Sequence, residues 1–458
     1  MANRPSEGRG AGRRESVQRF VLAATGIVVA LVWVNSRMFL MRRNSEGARP
    51  VVYSGYYVYH GMALALREGR LGQIDMAAHG RYLALNDPLA TYERLPAGKP
   101  HDWRHFYSLD IGYLFIVEAA RLGFPSLPDN ILRALALQLA ADAVLVVAVY
   151  LLFAPWSRSL GALAALLYVG NVVFVHLVVI AYYYYWDVPL TFLVLAALLA
   201  AYRRREQPVL ALALAAAGLG FGVWLRGTWW PLALFAFGLA ATVSELRRAL
   251  IVPLVVFAVI AAPQIVRSSV ARGHFALSTR TVWHVALVGL GYSANPYGLS
   301  ANDESVFTLT KEKYGVPFRS EDYEAHDQAA KREFLGILTG SPRFVAGSFL
   351  RRLGDSLLGA TPTSVRSYPY VPNGLYRIAC VIGLALMLAR GGDARFLAIA
   401  AAGLYAIYVV LTSVFYFVGL DYDNVSQVAM FVSIVGGIDT AVRWTIVRGT
   451  AGIQLGHS

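Results

Sequence analysis

Apolar residues gather in ten long runs along the chain, at about 18–40, 131–153, 159–180, 187–202, 208–225, 229–244, 249–266, 374–390, 395–414 and 425–443. A hydrocarbon core about 30 Å thick needs about 20 such residues per helix. The pattern therefore predicts an all-α polytopic membrane protein of about ten transmembrane helices. Between the runs the polar residues alternate in kind. Arg158, then Arg203, Arg204 and Arg205, then Arg247 and Arg248, then Arg390 and Arg395 fill every second short connection, and Arg443 and Arg448 follow the last run. Cytoplasmic loops are enriched in this way. The basic tail 1–17 and these loops are accordingly expected inside. Two long segments, 42–130 and 267–373, are expected on the exoplasmic face with three short turns.

Two stretches in the first long segment are amphipathic rather than uniformly apolar. "GYYVYHGMALALREGRLG" (55–72) has an apolar face and a charged end. "HFYSLDIGYLFIVEAARLG" (105–123) is short for a span and carries Asp110, Glu118 and Arg121. Counting it as a span would also put the arginine loops outside. Both read as interfacial helices. In the second segment "SEDYEAHDQAAKREFLGIL" (320–338) reads as a helix after a Ser cap, acidic early and basic late, packed on the bundle. The domain reading is thus a tail 1–17, a transmembrane module 18–266 containing the outer loop 42–130, an outer segment 267–373, and C-terminal helices 374–458.

Composition narrows the class. The chain is 57% hydrophobic and 15% charged, too apolar for an ordinary soluble enzyme. Its single cysteine, Cys380, excludes an intramolecular disulfide and a cysteine-based zinc site. The net charge of +13 fits positive inner loops facing anionic lipid, and nucleic acid is not an expected partner. Lysine occurs only at 99, 311, 313 and 331 while arginine is abundant. That bias suggests a GC-rich bacterial genome, hence the inner membrane with the working face outside.

Candidate chemistry collects at the outer ends of the runs. "KPHDWRHFYSLDIGY" (99–113) packs Asp102, His105, Tyr107 and Asp110 together. A solvated loop accounts equally for Lys99, Asp102 and Arg104. His101 and His105 would share a helix face, a thin basis for a metal pair. Asp110 stands in the apolar pattern "YSLDIGYLF", where a carboxylate is costly unless paired or working. "AYYYYWDVPL" (181–190) sets Tyr184, Tyr185 and Trp186 beside Asp187. These fit a sugar or lipid platform, or equally an interfacial belt and a helix start. "WLRGTWWPL" (224–232) brings Arg226 to a span end with Trp229, and Arg267 and Arg272 follow span seven. Guanidinium forks suit phosphate, although Arg at that depth also snorkels. Together these groups suit transfer from a lipid-phosphate-linked sugar. Arginine stabilises the leaving phosphate and a carboxylate takes the acceptor's proton. No cofactor is required. A divalent cation stays open, with no ligand set favouring it.

Several stretches, in order over roughly 50–290, resemble the GT-C superfamily of polytopic glycosyltransferases, especially bacterial members of the dolichyl-phosphate-mannose mannosyltransferase-like and aminoarabinose-transferase-like type. They are "YYVYHGMALALREGRLG", "DIGYLFIVEAARLGFPSLPDNILRALALQLAADAVLVVAVYLL", "WDVPLTFLVLAALLAAY", "GLGFGVWLRGTWWPLAL" and "APQIVRSSVARGHFALST". The resemblance implies a GT-C-like bundle, a polyprenyl-phosphate-linked sugar donor and a lipid or glycan acceptor. It also implies inverting transfer on the exoplasmic face with a first-loop Asp as base. The chain departs from the family where an acidic residue normally follows span one, since Ser54 and Gly55 stand there. Asp75, Asp87, Asp102 and Asp110 remain in that segment, with Asp110 the first choice for the base, Asp102 the second, and Asp187 a further candidate. Arg226, Arg267 and Arg272 are the expected phosphate ligands. Two other classes compete. One is an inactive GT-C relative or scaffold. The other is a lipid or sugar transporter, which should show internal repeats and polar residues deep in mid-span; the runs show neither.

The arginine alternation makes a direct prediction. A reporter fused after Arg205 reads as cytoplasmic and one inserted near Ser320 as exoplasmic; the opposite pattern would invert the topology and move the candidate chemistry to the cytoplasm.

Overall fold

The computed structural model describes residues 7–43, 54–84, 100–107, 109–279, 281–320, 323–358, 373–415 and 424–455. Asp87 and Lys99 lie outside them. The membrane bundle contains α1 (Glu7–Arg43), α5 (Ile131–Phe153), α6 (Arg158–Gly170), α7 (Val172–Val178), α8 (Asp187–Arg203), α9 (Val209–Leu225), α10 (Trp229–Ala241), α12 (Ile251–Arg272), α17 (Asn373–Arg390), α18 (Gly392–Phe415) and α19 (Asn424–Leu455). A short helix α11 (Ser244–Arg248) links α10 to α12. Among the described residues six helices are long and apolar enough to cross a membrane, and α6, α9 and α10 are shorter apolar helices. The predicted third span is broken. Asn171 stops α6 and its side chain accepts from the backbone of Val173 and Phe174, capping α7.

The helices meet where side chains are small. α9 packs between α8 and α12, α17 against α19, and α1 against α6. At Gly383 any Cβ would collide with the Ser433 carbonyl, so α17 and α19 touch backbone to backbone, a packing mode that membrane helices favour.

The first long loop carries α2 (Ser54–Arg67), β1 (Gln73–Asp75), α3 (Met76–Ala84), β2 (Trp103–His105) and α4 (Gly112–Gly123). β1 and β2 pair antiparallel, with Ile74 opposite Arg104. The helix predicted over 105–123 therefore starts only at Gly112, and the residues before it form a strand and a bend. His101 and His105 share no helix face. His101 meets Asp75 at 2.8 Å and His105 meets Gln73 at 3.2 Å. Gly112 marks the change: a Cβ there would lie 2.6 Å from the Trp224 carbonyl carbon. That close approach docks the start of α4 on the end of α9 and puts Asp110 just beneath it.

The second segment carries α13 (Val282–Leu290), α14 (Asp303–Tyr314), α15 (Tyr323–Gly340) and α16 (Pro342–Leu358). Leu287, Leu290, Val306, Ala330 and Ile337 give it a small core of its own, and α13 and α16 also lie against α18.

Contrary to the sequence reading, polar groups do lie deep in the spans. Asp142, midway along α5, is fully buried and ion-paired to Arg37 of α1 at 2.9 Å. Trp33 and Tyr168 donate to the same carboxylate at 2.6 and 2.5 Å, and Arg37 also donates to the Val169 carbonyl at the end of α6. Gln138, one turn earlier, donates to the carbonyls of Val178 and Ile180. This network ties α1, α5 and the break between α6 and α7 into one unit. Removing one member of a buried pair strands the other charge, at about 3–5 kcal/mol. Asp142→Asn should therefore lower the unfolding midpoint of the purified protein sharply, while Arg37→Met with Asp142→Leu recovers most of the loss. Wild-type stability in the single variant would mean that the pair contributes nothing to the fold.

Candidate functional site

The turn before α8, the residues joining α9 to α10, the start of α10, the end of α12 with the loop after it, α13, α15 and, from α18, Leu411 and Thr412 surround a cavity of about 530 Å³. Its walls are mostly apolar: Trp230, Pro231, Leu277, Val282, Val285 and Leu411. The polar groups reaching it include Arg226, Arg272, His274, Ser278, Asp327 and Thr412. An apolar cavity with a few convergent polar groups is the usual form of a small-ligand site.

Arg226 leaves the end of α9 in an extended conformation (φ −157°). It donates to Asp187 at 2.8 Å and to the Tyr408 hydroxyl at 2.9 Å. The rings of Tyr183, Tyr184 and Tyr408 lie 5.4 to 6.0 Å from its guanidinium carbon. The second oxygen of Asp187 accepts from the Trp229 indole at 2.9 Å. Asp187 is thus a fully buried anchor, and Arg226 is the member of the pair that lines the cavity.

Asp110 is also fully buried. Its Oδ1 accepts from Gln264 (2.9 Å), Ser278 (3.3 Å) and Thr279 (3.2 Å), and its backbone carbonyl accepts from Tyr59 (2.9 Å). Ser278 lines the cavity and Asp110 does not, so the Ser278 hydroxyl stands between the carboxylate and the cavity. Arg267 is spent on the backbone: it donates to the carbonyls of Leu109 (3.1 Å) and Phe106 (3.0 Å), pinning the segment that carries Asp110. Asp102 sits half-exposed on the β pair, salt-bridged to Arg104 at 3.0 Å. His105 and Tyr107 stack on each other at 4.9 Å, and neither borders the cavity.

Arg272 does border it. Its Nη1 lies 2.7 Å from Glu324 and 3.3 Å from Asp327, and its Nε donates to the Ser278 carbonyl. Of the predicted phosphate ligands, the cavity therefore gathers Arg226 and Arg272 and leaves Arg267 outside. The aromatic platform is displaced by one residue on each side. A 3-10 turn over Tyr183–Trp186 packs Tyr184 and Tyr185 inward, and Trp229 is turned to Asp187, so from these two stretches Tyr183 and Trp230 reach the cavity, where Trp283 and His274 add further rings.

Sequence reading passed over Asp327, Ser278, His274 and Trp283. Asp327 lies among polar neighbours in α15, where no break in pattern distinguishes it. Burial pushes its carboxyl above the usual range, opposed by Arg272 and by the backbone N–H groups of His284 and Trp283. Those two N–H groups donate to its Oδ1 at 3.3 and 3.0 Å. Behind it runs a polar chain: Asp303 lies 2.9 Å from His284, His284 3.0 Å from His326, and His326 3.0 Å from Thr310.

No family model matches the chain, and no curated protein matches its sequence. Solved structures do match in shape. One is the Archaeoglobus fulgidus oligosaccharyltransferase, crystallised with a tethered acceptor peptide containing the NVT sequon. It is 13% identical at a TM-score of 0.50, over 91% of this chain and 49% of that one. Another is ArnT from Cupriavidus metallidurans bound to undecaprenyl phosphate, 15% identical over 92% of this chain and 77% of that one, at a TM-score of 0.34. This chain thus spans about half the length of the archaeal enzyme. At these identities the likeness is one of fold, shared with a membrane-embedded archaeal enzyme.

His326 supplies a pH test of the cavity's outer wall. Burial, then the neighbouring His284, brings its imidazole down to about 4 against an ordinary 6.5, with Asp303 opposing. A histidine so lowered is neutral in the fold. Its contribution is whole above about pH 6.5 and is lost as the pH falls toward 4, by up to about 3 kcal/mol. His326→Gln should flatten the fall of the unfolding midpoint across that window. An unchanged slope would show that His326 stays open to protons in the folded protein.

Proposed function

We propose that this protein is a membrane glycosyltransferase that moves a sugar from a polyprenyl-phosphate-linked donor to a lipid or glycan acceptor on the exoplasmic face. On this reading it sits in a bacterial inner membrane and inverts the anomeric centre. The observation that carries the reading is the presence of Arg226 and Arg272 in one cavity whose walls are mostly apolar, within a fold shared with a membrane glycosyltransferase. The apolar walls suit a lipid chain, the two guanidinium groups its phosphate, and the rings of Tyr183 and Trp230 a sugar face. Displacement at the anomeric carbon leaves the electron pair on the phosphate, where fixed cations stabilise it. Asp187 and Arg267 serve as positioning residues, the first aiming Arg226 and the second holding the Asp110 segment. Asp110 acts at the cavity through Ser278.

A second reading is an inactive relative. It is favoured by the enclosure of Asp110 and Asp187 and by Ser54 and Gly55 in place of the family's acid.

Arg226→Lys separates binding from mere charge. Lysine keeps the charge and loses the planar fork, so affinity for a polyprenyl phosphate should fall about tenfold, or 1.4 kcal/mol, while affinity for the matching polyprenol stays level. Equal loss for both lipids, or for neither, would remove Arg226 from phosphate recognition.

A further inference from the structure

The cavity's second arginine is already engaged. Arg272 faces two carboxylates, Glu324 at 2.7 Å and Asp327 at 3.3 Å. One cation against two anions leaves this corner negative, which opposes an incoming phosphate. An anionic head can therefore use Arg272 only by exchange. Glu324 is free to give way, because it is partly exposed and already accepts from Gln328. Asp327 is not. It is almost fully buried, and two backbone N–H groups of α13 hold its Oδ1. When Arg272 turns to a phosphate, Asp327 stays where it is and loses its cation.

We propose that Asp327 is the catalytic carboxylate that takes the acceptor's proton, and that donor binding activates it by drawing Arg272 onto the phosphate. This rests on the donor reading above. The acceptor hydroxyl proton passes to the Asp327 carboxylate. The acceptor oxygen then bonds to the anomeric carbon, and the anomeric C–O bond breaks with its electron pair going to the phosphate oxygen held by Arg226 and Arg272. No oxidant or further reactant is needed.

Three observations support the assignment. Asp327 lines the cavity, whereas Asp110 lies behind Ser278 and Asp187 behind Arg226. Its carboxyl is already raised by burial, against Arg272 and the two N–H donors, and loss of the cation raises it further. The surrounding charges would not replace Arg272. From α12, Arg272 reaches it directly, and Arg267 lies toward Tyr323 at the start of α15. From α13 and α14 come His284 and its partner Asp303. On α15 itself Glu324 shares Arg272, His326 faces His284 and Thr310, and Lys331 sits over the Trp283 ring at 5.6 Å. α16 meets α15 further along, around Ile337 and Phe344.

The exchange predicts proton uptake. The test is titration calorimetry on the full chain in nanodiscs at about pH 7, in buffers of different ionisation enthalpy. The probes are a polyprenyl methyl phosphodiester, which keeps one charge throughout, and the matching polyprenol. Wild-type protein should take up a fraction of a proton with the phosphodiester and none with polyprenol. Asp327→Asn, which still offers an oxygen to the Trp283 and His284 N–H groups, should abolish the uptake and bind the phosphodiester roughly three- to tenfold tighter, since one opposing charge is gone. Glu324→Gln, which leaves Asp327 in place, should keep the uptake. Preference for the phosphodiester without uptake in wild type, or with the same uptake in folded Asp327→Asn, would overturn the assignment and leave the donor reading standing. Equal binding of phosphodiester and polyprenol, unmoved by Arg272→Gln, would overturn both.

Discussion

The working end of the molecule is organised by one buried contact, the salt bridge between Arg226 and Asp187. A guanidinium at the end of an apolar helix is costly unless its charge and donors are answered. Here one carboxylate, one hydroxyl and three aromatic faces answer it, and they come from α8, α18 and the turn before α8. The Trp229 indole closes the other side of Asp187 and brings in the start of α10. Three stretches far apart in the sequence, 183–187, 226–229 and the part of α18 around Tyr408, are thereby tied together. Gly222 completes the arrangement, since any Cβ there would overlap the Trp229 ring. The cavity is the space left beside this knot.

A second knot holds the roof. Asp110 joins α2 through Tyr59, α12 through Gln264, and the loop before α13 through Ser278 and Thr279. Arg267 grips the same segment by its carbonyls. The two carboxylates that sequence pattern singles out for chemistry are thus both structural hubs, each carrying a neighbour to the cavity: Arg226 in one case, Ser278 in the other. Buried acids in membrane proteins are few because each needs this many partners, and the same scarcity makes them conspicuous in a sequence.

Much of the frame was legible because bilayer thickness dictates run length. The run at 131–153 and the helix Ile131–Phe153 coincide, and the third run fails only at Asn171, whose side chain offers a cap that apolar counting ignores. Buried charge was legible where it interrupts an apolar pattern, as at Asp110, Asp187 and Arg226. It was illegible in two circumstances. Asp142 and Arg37 sit 105 residues apart, and nothing in either span names the other as its partner. Asp327 sits among other polar residues, so only the fold separates it from its neighbours. The shared helix face expected of His101 and His105 is lost for a related reason: the pairing of β2 with β1 replaces the helix there.

The charge balance at the cavity also constrains how a ligand gains its affinity. Arg226 and Arg272 are each matched by carboxylates before anything binds. Swapping a carboxylate for a phosphate on a buried guanidinium trades one charge-assisted contact for another, close to break-even in free energy. The head group then contributes selectivity more than strength. Strength must come from the apolar walls, where each Å² of lipid chain removed from water contributes about 25 cal/mol. A lipid already dissolved in the bilayer gains little of that, because its chain is never in water. On the proposed reading, the donor is thus held weakly and exchanged readily. That suits a site that must release its spent lipid phosphate after each transfer, and it explains why the cavity's specificity rests on a few arginines rather than on the size of its apolar surface.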